Sequence, residues 1–193
     1  VGENYGGNIT GCYAHCSVQN DDGVLGGLVG HNRTGSTIER CRFKGDIAGY
    51  GSESGGLVGE NEGDINESYA DCNMIDRRGE GGIQGGLVGS NEDCVITKCF
   101  SIGKISPYGD GLIGANNRSF VLDCYSAVDV NGPNDVISGF VQYSYQSNYS
   151  GCFWDHTINS SLYGIGNIYD PNVIGLTTSE MYDVNSRSEE RRV

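Results

Sequence analysis

The chain has 193 residues, enough for one ordinary domain, yet 32 are glycine and only three proline, a composition of recurring turns. Its 25 acidic against 12 basic residues leave a formal charge of −13, a field that repels nucleic acid and anionic membrane surfaces and admits cations and neutral glycans. Apolar residues at 37% with a charged fraction of 19% exclude extended disorder and a coiled coil. No apolar run nears the roughly 20 residues that cross a bilayer, so no direct membrane insertion is expected, and no basic start followed by an apolar stretch resembles a signal peptide.

Along the chain, Gly-Gly-Leu-Val-Gly occurs at 26–30, 55–59 and 85–89, with a worn Gly-Leu-Ile-Gly at 111–114 and Ser-Gly-Phe-Val-Gln at 138–142. The leucine column Leu28, Leu57, Leu87, Leu112 and Phe140 has spacings of 29, 30, 25 and 28, the mark of stacked repeats. Val1-Gly2-Glu3-Asn4 matches the phase of Val58-Gly59-Glu60-Asn61, which predicts that the chain opens inside a repeat of something longer.

Other columns keep the same phase. Asparagine recurs as Asn4, Asn32, Asn61, Asn91 and Asn116, and an aliphatic residue as Ile9, Ile38, Ile65, Ile96 and Val121. Three residues on stands a thiol or hydroxyl: Cys12, Cys41, Ser68, Cys99, Cys124 and Cys152. An aromatic follows it as Tyr13, Tyr69, Phe100, Tyr125 and Phe153, interrupted by Arg42. Val18, Ile47, Met74, Ile105, Val130 and Ile158 close the plan.

No segment shows a long i, i+3, i+4, i+7 stripe, whereas short β-branched runs lie between Gly, Asn, Asp and Ser. The prediction is an all-β parallel β-solenoid (β-helix) of about six coils, each of roughly 28 residues and three short strands, stacked at about 4.8 Å into a rod of roughly 25 to 30 Å. Coils are placed near 1–25, 26–54, 55–84, 85–110, 111–137 and 138–155. The glycine motif itself is read as a strand between two tight turns, with Leu and Val on opposite faces.

After residue 155 an irregular capping segment over 156–185 is expected, then a mobile tail over 186–193. Trp154 is the candidate lid for the open end of the stack. Thr177 with Glu180 fits a capping box for a short helix over about 178–184.

The phased columns Gly-Gly-Leu-Val-Gly-x-Asn, Ile, Cys-Tyr and Gly-x-Ile resemble the GLUG-motif repeat of bacterial surface and secreted proteins, over about residues 1–155. Cys152-Phe-Trp-Asp155 followed by Gly175-Leu-Thr-Thr-Ser-Glu-Met181 looks like the way such arrays finish, although the chain then departs into Asn-Ser-Arg-Ser-Glu-Glu-Arg-Arg-Val. GLUG repeats occur in adhesin-like proteins and beside the catalytic domains of immunoglobulin A metallopeptidases. The resemblance implies an extracellular or cell-surface segment of a larger protein, acting as stalk or adhesive surface, with glycans or surface proteins of host or neighbouring cells as partners. A polysaccharide-binding or polysaccharide-degrading β-helix is the alternative.

Candidate chemistry is sparse. In-register cysteines on parallel strands keep Cβ atoms near 4.8 Å, beyond the roughly 3.5 to 4.5 Å of a disulfide, so a thiol ladder of Cys12, Cys41, Cys99, Cys124 and Cys152 is expected. Cys16 and Cys72 are read as free thiols two rungs apart, and Cys94 as isolated in a turn. Cys12-Tyr-Ala-His15-Cys16 brings three zinc-type ligands together, but Cys12 belongs to the core column and turns away. No Gly-x-Ser-x-Gly, Walker loop or His-Glu-x-x-His occurs, so no enzyme activity and no cofactor are expected. Turn carboxylates at Glu60, Glu62 and Asp64 are a weak calcium candidate, with Asp21-Asp22 and Glu92-Asp93 in related turns. The asparagine column reads as a hydrogen-bonded ladder, and Asn8, Asn32, Asn66, Asn117, Asn148 and Asn159 head Asn-x-Ser/Thr sequons. Tyr13, Tyr69, Phe100, Tyr125 and Phe153 form an outward stripe that suits either stacking on sugar rings or packing on itself.

Overall fold

The computed structural model describes residues 1–20, 23–49, 53–77, 82–132 and 137–182. The predicted tail, the end of the capping segment and Asp21-Asp22 lie outside them. The chain is a parallel β-solenoid. One sheet stacks Glu3–Asn4, Val29–Asn32, Val58–Asn61, Val88–Glu92, Ile113–Asn117 and Val141–Tyr145; a second stacks Asn8–Thr10, Thr37–Glu39, Asp64–Asn66, Val95–Thr97, Phe120–Leu122 and Asn148–Ser150. The long third sheet runs Tyr13–Asn20, Arg42–Gly49, Tyr69–Asp76, Phe100–Ser106, Tyr125–Val130, Cys152–Asp155 and Val173–Leu176. Six strands in each of the first two sheets are six rungs, separated by five turns.

The expectation of three strands per coil needs correction. A fourth short sheet joins Val24–Gly26, Glu53–Gly55 and Ile83–Gly85, and bridges at Asp110 and Ser138 carry its line onward. The glycine motif is accordingly a corner between this sheet and the first one rather than a strand. Leu and Val therefore do not take opposite faces: Leu57, Val58, Leu87 and Val88 are all fully buried. A Cβ on the first glycine would stand 1.8 to 2.0 Å from the carbonyl oxygen of Val29, Val58 or Val88. On the second glycine it would meet the next rung's carbonyl, Gly56 O at 2.3 Å for Gly27 and Gly86 O at 2.0 Å for Gly56. Only hydrogen fits where backbone stacks on backbone.

The corner before the thiol column has another cause. Gly11, Arg40, Glu67, Lys98, Asp123 and Gly151 all have positive φ, between 47° and 64°, so every rung turns there through a left-handed residue that is mostly not glycine. The chain then enters the long sheet with its inward positions filled by Phe43, Ala70 and Trp154, then by Ile47, Met74 and Ile105. Ile158 does not continue that last column; it is exposed in the segment after the sixth rung.

Trp154 is buried but is not the outermost layer, because Val173–Leu176 stacks in register on Cys152–Asp155. The far edge is finished by side chains. Asn159 donates to Val128 O (2.7 Å) and accepts from Val130 N (3.2 Å), while Asn167 donates to Ser144 O (3.0 Å) and accepts from its N–H (2.9 Å). Each amide thus replaces a missing strand on an edge that would otherwise invite aggregation. The helix Thr178–Met181 begins at Thr177, whose hydroxyl accepts from Glu180 N while Glu180 accepts from Thr177 N.

Candidate functional site

Three side-chain ladders run the length of the stack. In the first, Asn4 Nδ2 donates to Asn32 Oδ1 (2.9 Å), Asn32 to Asn61 (2.8 Å), Asn61 to Asn91 (2.7 Å) and Asn91 to Asn116 (2.7 Å). All five amides are buried, each at the last or next-to-last position of its first-sheet strand. Asn116 donates on to Tyr149 Oη (3.0 Å), which donates to Ser144 Oγ (2.8 Å), so a tyrosine and a serine close what the sixth rung lacks. No asparagine repeat announces that ending.

The second ladder is the thiol column, and it is polar as well as packed. Ser68 Oγ accepts from Cys41 N (3.0 Å) and donates to Asn66 O (2.8 Å); Cys124 Sγ accepts from Cys99 N (3.4 Å) and donates to Leu122 O (3.1 Å). Thiol and hydroxyl interchange because both tie one corner to the next. Cys41, Cys99, Cys124 and Cys152 are buried and all eight cysteines are free, but Cys12 is exposed, since no rung covers it. Burial pushes the Cys41, Cys124 and Cys152 thiols up, and the Cys72 thiol to about 12. Cys94 is not alone: it shares a buried corner with Ser36 and Ser119, accepts from Asn61 Nδ2 (3.1 Å) and has its N–H bonded to Ser119 Oγ (3.3 Å). Counting two residues back from the aliphatic column would have found it.

The third ladder is the outward face of the long sheet, where Tyr13, Arg42, Tyr69, Phe100, Tyr125, Phe153 and Ile174 stand in register. The ring pairs Tyr69–Phe100 and Phe100–Tyr125 are stacked at 4.5 and 4.8 Å between centroids, within 7° of parallel. Arg42 does not break the row, for its guanidinium lies 4.6 Å from the Tyr13 ring centre. Phe100 therefore has a ring on each side and offers sugars only an edge. Beside the row, Lys44 pairs with Asp71 (2.5 Å) and Lys104 with Asp129 (2.9 Å).

On the first sheet the carboxylates converge on cations. Arg33 reaches Glu3 (2.7 Å), Glu62 (3.3 Å) and Glu60 (3.7 Å), while His31 meets Glu60 at 3.0 Å. The Arg33 guanidinium holds the Glu3 carboxyl below its usual range. Asp64 accepts from Val95 N (2.9 Å), whereas Glu60 and Glu62 share Arg33, so each of the three residues proposed for calcium is engaged by a protein group. Arg118 likewise holds Glu92 and Asp93. Among the described residues no group of three or more His, Cys, Asp or Glu side chains has metal-site geometry. Asn32 and Asn159, at 0% and 6% exposure with their amides engaged, are closed to glycosylation in the folded chain.

Residues 22–48 match the family model of the GLUG motif, a stretch that takes in one glycine corner with its asparagine, thiol and aliphatic columns. That stretch carries a GLUG motif. The matched coil pairs in register with the coil on either side, so its strand plan recurs on both neighbours. No curated protein and no solved structure matches the chain. In physical terms the glycines of the motif are the corner at which backbone packs on backbone, and the recurring plan is that of a repeat-type structural domain.

Proposed function

We propose that this GLUG segment is a non-catalytic stalk within a larger bacterial cell-surface or secreted protein. The observation that supports the reading is the asparagine ladder, which links five rungs through buried, like-oriented hydrogen bonds, reaches the sixth through Tyr149, and so joins successive coils by more than backbone pairing. The outward carboxylates support it too: Glu3, Glu60, Glu62, Asp71, Glu92, Asp93 and Asp129 each pair with a cation, several of them on a neighbouring rung. A carboxylate so held brings neighbouring coils together rather than working as an acid or base.

The reading is tested in the full-length protein in its source cell, with an epitope inserted at the exposed Thr34-Gly35 turn. Intact cells should stain with antibody. Staining only after permeabilisation would overturn the surface assignment. Replacing the segment by a Gly/Ser linker of equal residue number should lengthen and slacken the reach of whatever the protein carries, because a flexible chain of that length averages roughly 70 to 80 Å end to end against a rod of roughly 25 to 30 Å, and unchanged reach would argue against a stalk.

A further inference from the structure

The aromatic rings of the long sheet cover one another, but two tyrosines elsewhere do not. Tyr143 and Tyr145 flank buried Ser144 on the strand Val141–Tyr145 and stand 57% and 59% exposed on the outer face of the first sheet. Two positions along a strand places them about 7 Å apart. In register on the neighbouring rung lie Ala115 and Asn117, and the next residue in Ala115's row is Ser90. None of these has a ring. The stacking that covers Phe100 on both sides thus has no counterpart on the neighbouring rung, and beyond the strand the cap seats the Asn167 amide on the Ser144 backbone.

Charge changes along the same face. Its first rungs carry Glu3, His31 and Glu60, whereas the last two carry Ala115, Asn117, Tyr143 and Tyr145, all uncharged within a chain of formal charge −13. Glu92, the next residue in Asn117's row, and Asp93 beside it are both held by Arg118. A uronic-acid chain would be repelled by that net field. A flat pair of amphipathic rings bordered by an amide, without an apolar trough between them, suits a rigid polar ligand with an apolar ring face.

We propose that Tyr143 and Tyr145 form a platform for a neutral oligosaccharide, each ring stacking on one sugar and the phenol hydroxyls and Asn117 bonding sugar hydroxyls. This assigns glycan contact to the first sheet, not to the self-stacked column of Tyr69, Phe100 and Tyr125, and does not depend on the stalk reading.

Affinity electrophoresis of the whole chain in gels containing mixed-linkage β-glucan, glucomannan or xyloglucan, with polygalacturonate as the anionic control, tests it. At least one neutral glycan should retard the protein. Tyr143→Ala and Tyr145→Ala should each weaken that retardation about tenfold or more without moving the melting temperature, and Tyr143→Trp should keep it. Phe100→Ala should lower the melting temperature and leave binding intact. Migration unaffected by all three neutral glycans, retardation that survives both alanine variants, or a preference for polygalacturonate would overturn the proposal. Cell-surface staining at the Thr34-Gly35 epitope is independent of these results.

Discussion

Asn61 Nδ2 donates to Asn91 Oδ1 across 2.7 Å, joining residues one coil apart inside a core where both are fully buried. Asn61 also accepts from Asn32 and donates to Gly63 O at 2.7 Å, so its amide has partners on both neighbouring rungs and in its own corner. Replacing it with leucine leaves the buried Asn32 donor without its acceptor and leaves Asn91 Oδ1 with only the Cys94 thiol (3.0 Å). Each orphaned group costs about 1 to 3 kcal/mol, so Asn61→Leu should destabilise by about 2 to 5 kcal/mol. Urea unfolding followed by far-UV circular dichroism measures it; an unchanged midpoint would show that the ladder carries no energy.

Leu57 occupies the glycine corner at 0% exposure. Leu57→Asp places an unpaired carboxylate in the shared core and should cost about 3 to 5 kcal/mol. A melting temperature equal to that of the parent would refute the register of the whole stack.

Phe100 loses two stacked neighbours when it is truncated, Tyr69 and Tyr125. At about 0.5 to 1.5 kcal/mol for each aromatic pair beyond area burial, Phe100→Ala should cost about 1 to 3 kcal/mol from stacking alone. Tyr143→Ala, at a site exposed and unstacked, should stay within about 0.5 kcal/mol of the parent. Thermal melts of the two variants side by side distinguish a structural row from a free surface.

Asp110 is 3% exposed, stands on the corner column that is glycine in three earlier rungs, and accepts from Ser138 N and Oγ, both at 2.8 Å. Burial raises its carboxyl well above the ordinary range, against the smaller opposing effect of the Ser138 bonds. A raised folded-state value means that the native state holds the proton more tightly than the unfolded chain. Asp110's contribution is therefore most favourable below its unfolded value near 4 and declines as pH rises towards the folded value. Asparagine keeps the acceptor oxygen and has no proton to lose. Asp110→Asn should raise the melting temperature, with a larger gain at pH 7 than at pH 4; an equal gain at both would reject the ionisation argument.

Thiol accessibility follows the end of the stack. Cys12 and Cys16 are exposed and the other six cysteines are buried, with Cys72 and Cys94 pushed up to about 12 by burial. At pH 8 a disulfide reagent should titrate two thiols in the native protein and all eight after denaturation. More than two fast thiols would contradict the packed thiol column.

Much of this was legible in the sequence because a solenoid repeats its physics at a fixed interval. The phase of Leu28, Leu57 and Leu87, of Asn32, Asn61 and Asn91, and of Cys41, Cys99 and Cys124 determined which residues stack on which, since parallel in-register pairing maps each column onto one line in space. The resulting parallel β-solenoid follows from the column phase and the short β-branched runs. Columns alone do not carry direction or contact. Whether Leu57 and Val58 face opposite ways depends on the backbone turning between them, and that turn exists because Gly55 packs against the Val58 carbonyl of its own corner and Gly56 against the Gly86 carbonyl one coil away. The aromatic column was visible as a list of rings, but only the 4.5 to 4.8 Å stacking of Tyr69, Phe100 and Tyr125 decided that their faces are covered. The ends were least legible, because Tyr149, Asn159 and Asn167 close ladders and strand edges without belonging to any repeat. A repeating sequence determines its own interior through neighbour upon identical neighbour; termination needs groups that replace an absent neighbour, and only the folded chain brings those into place.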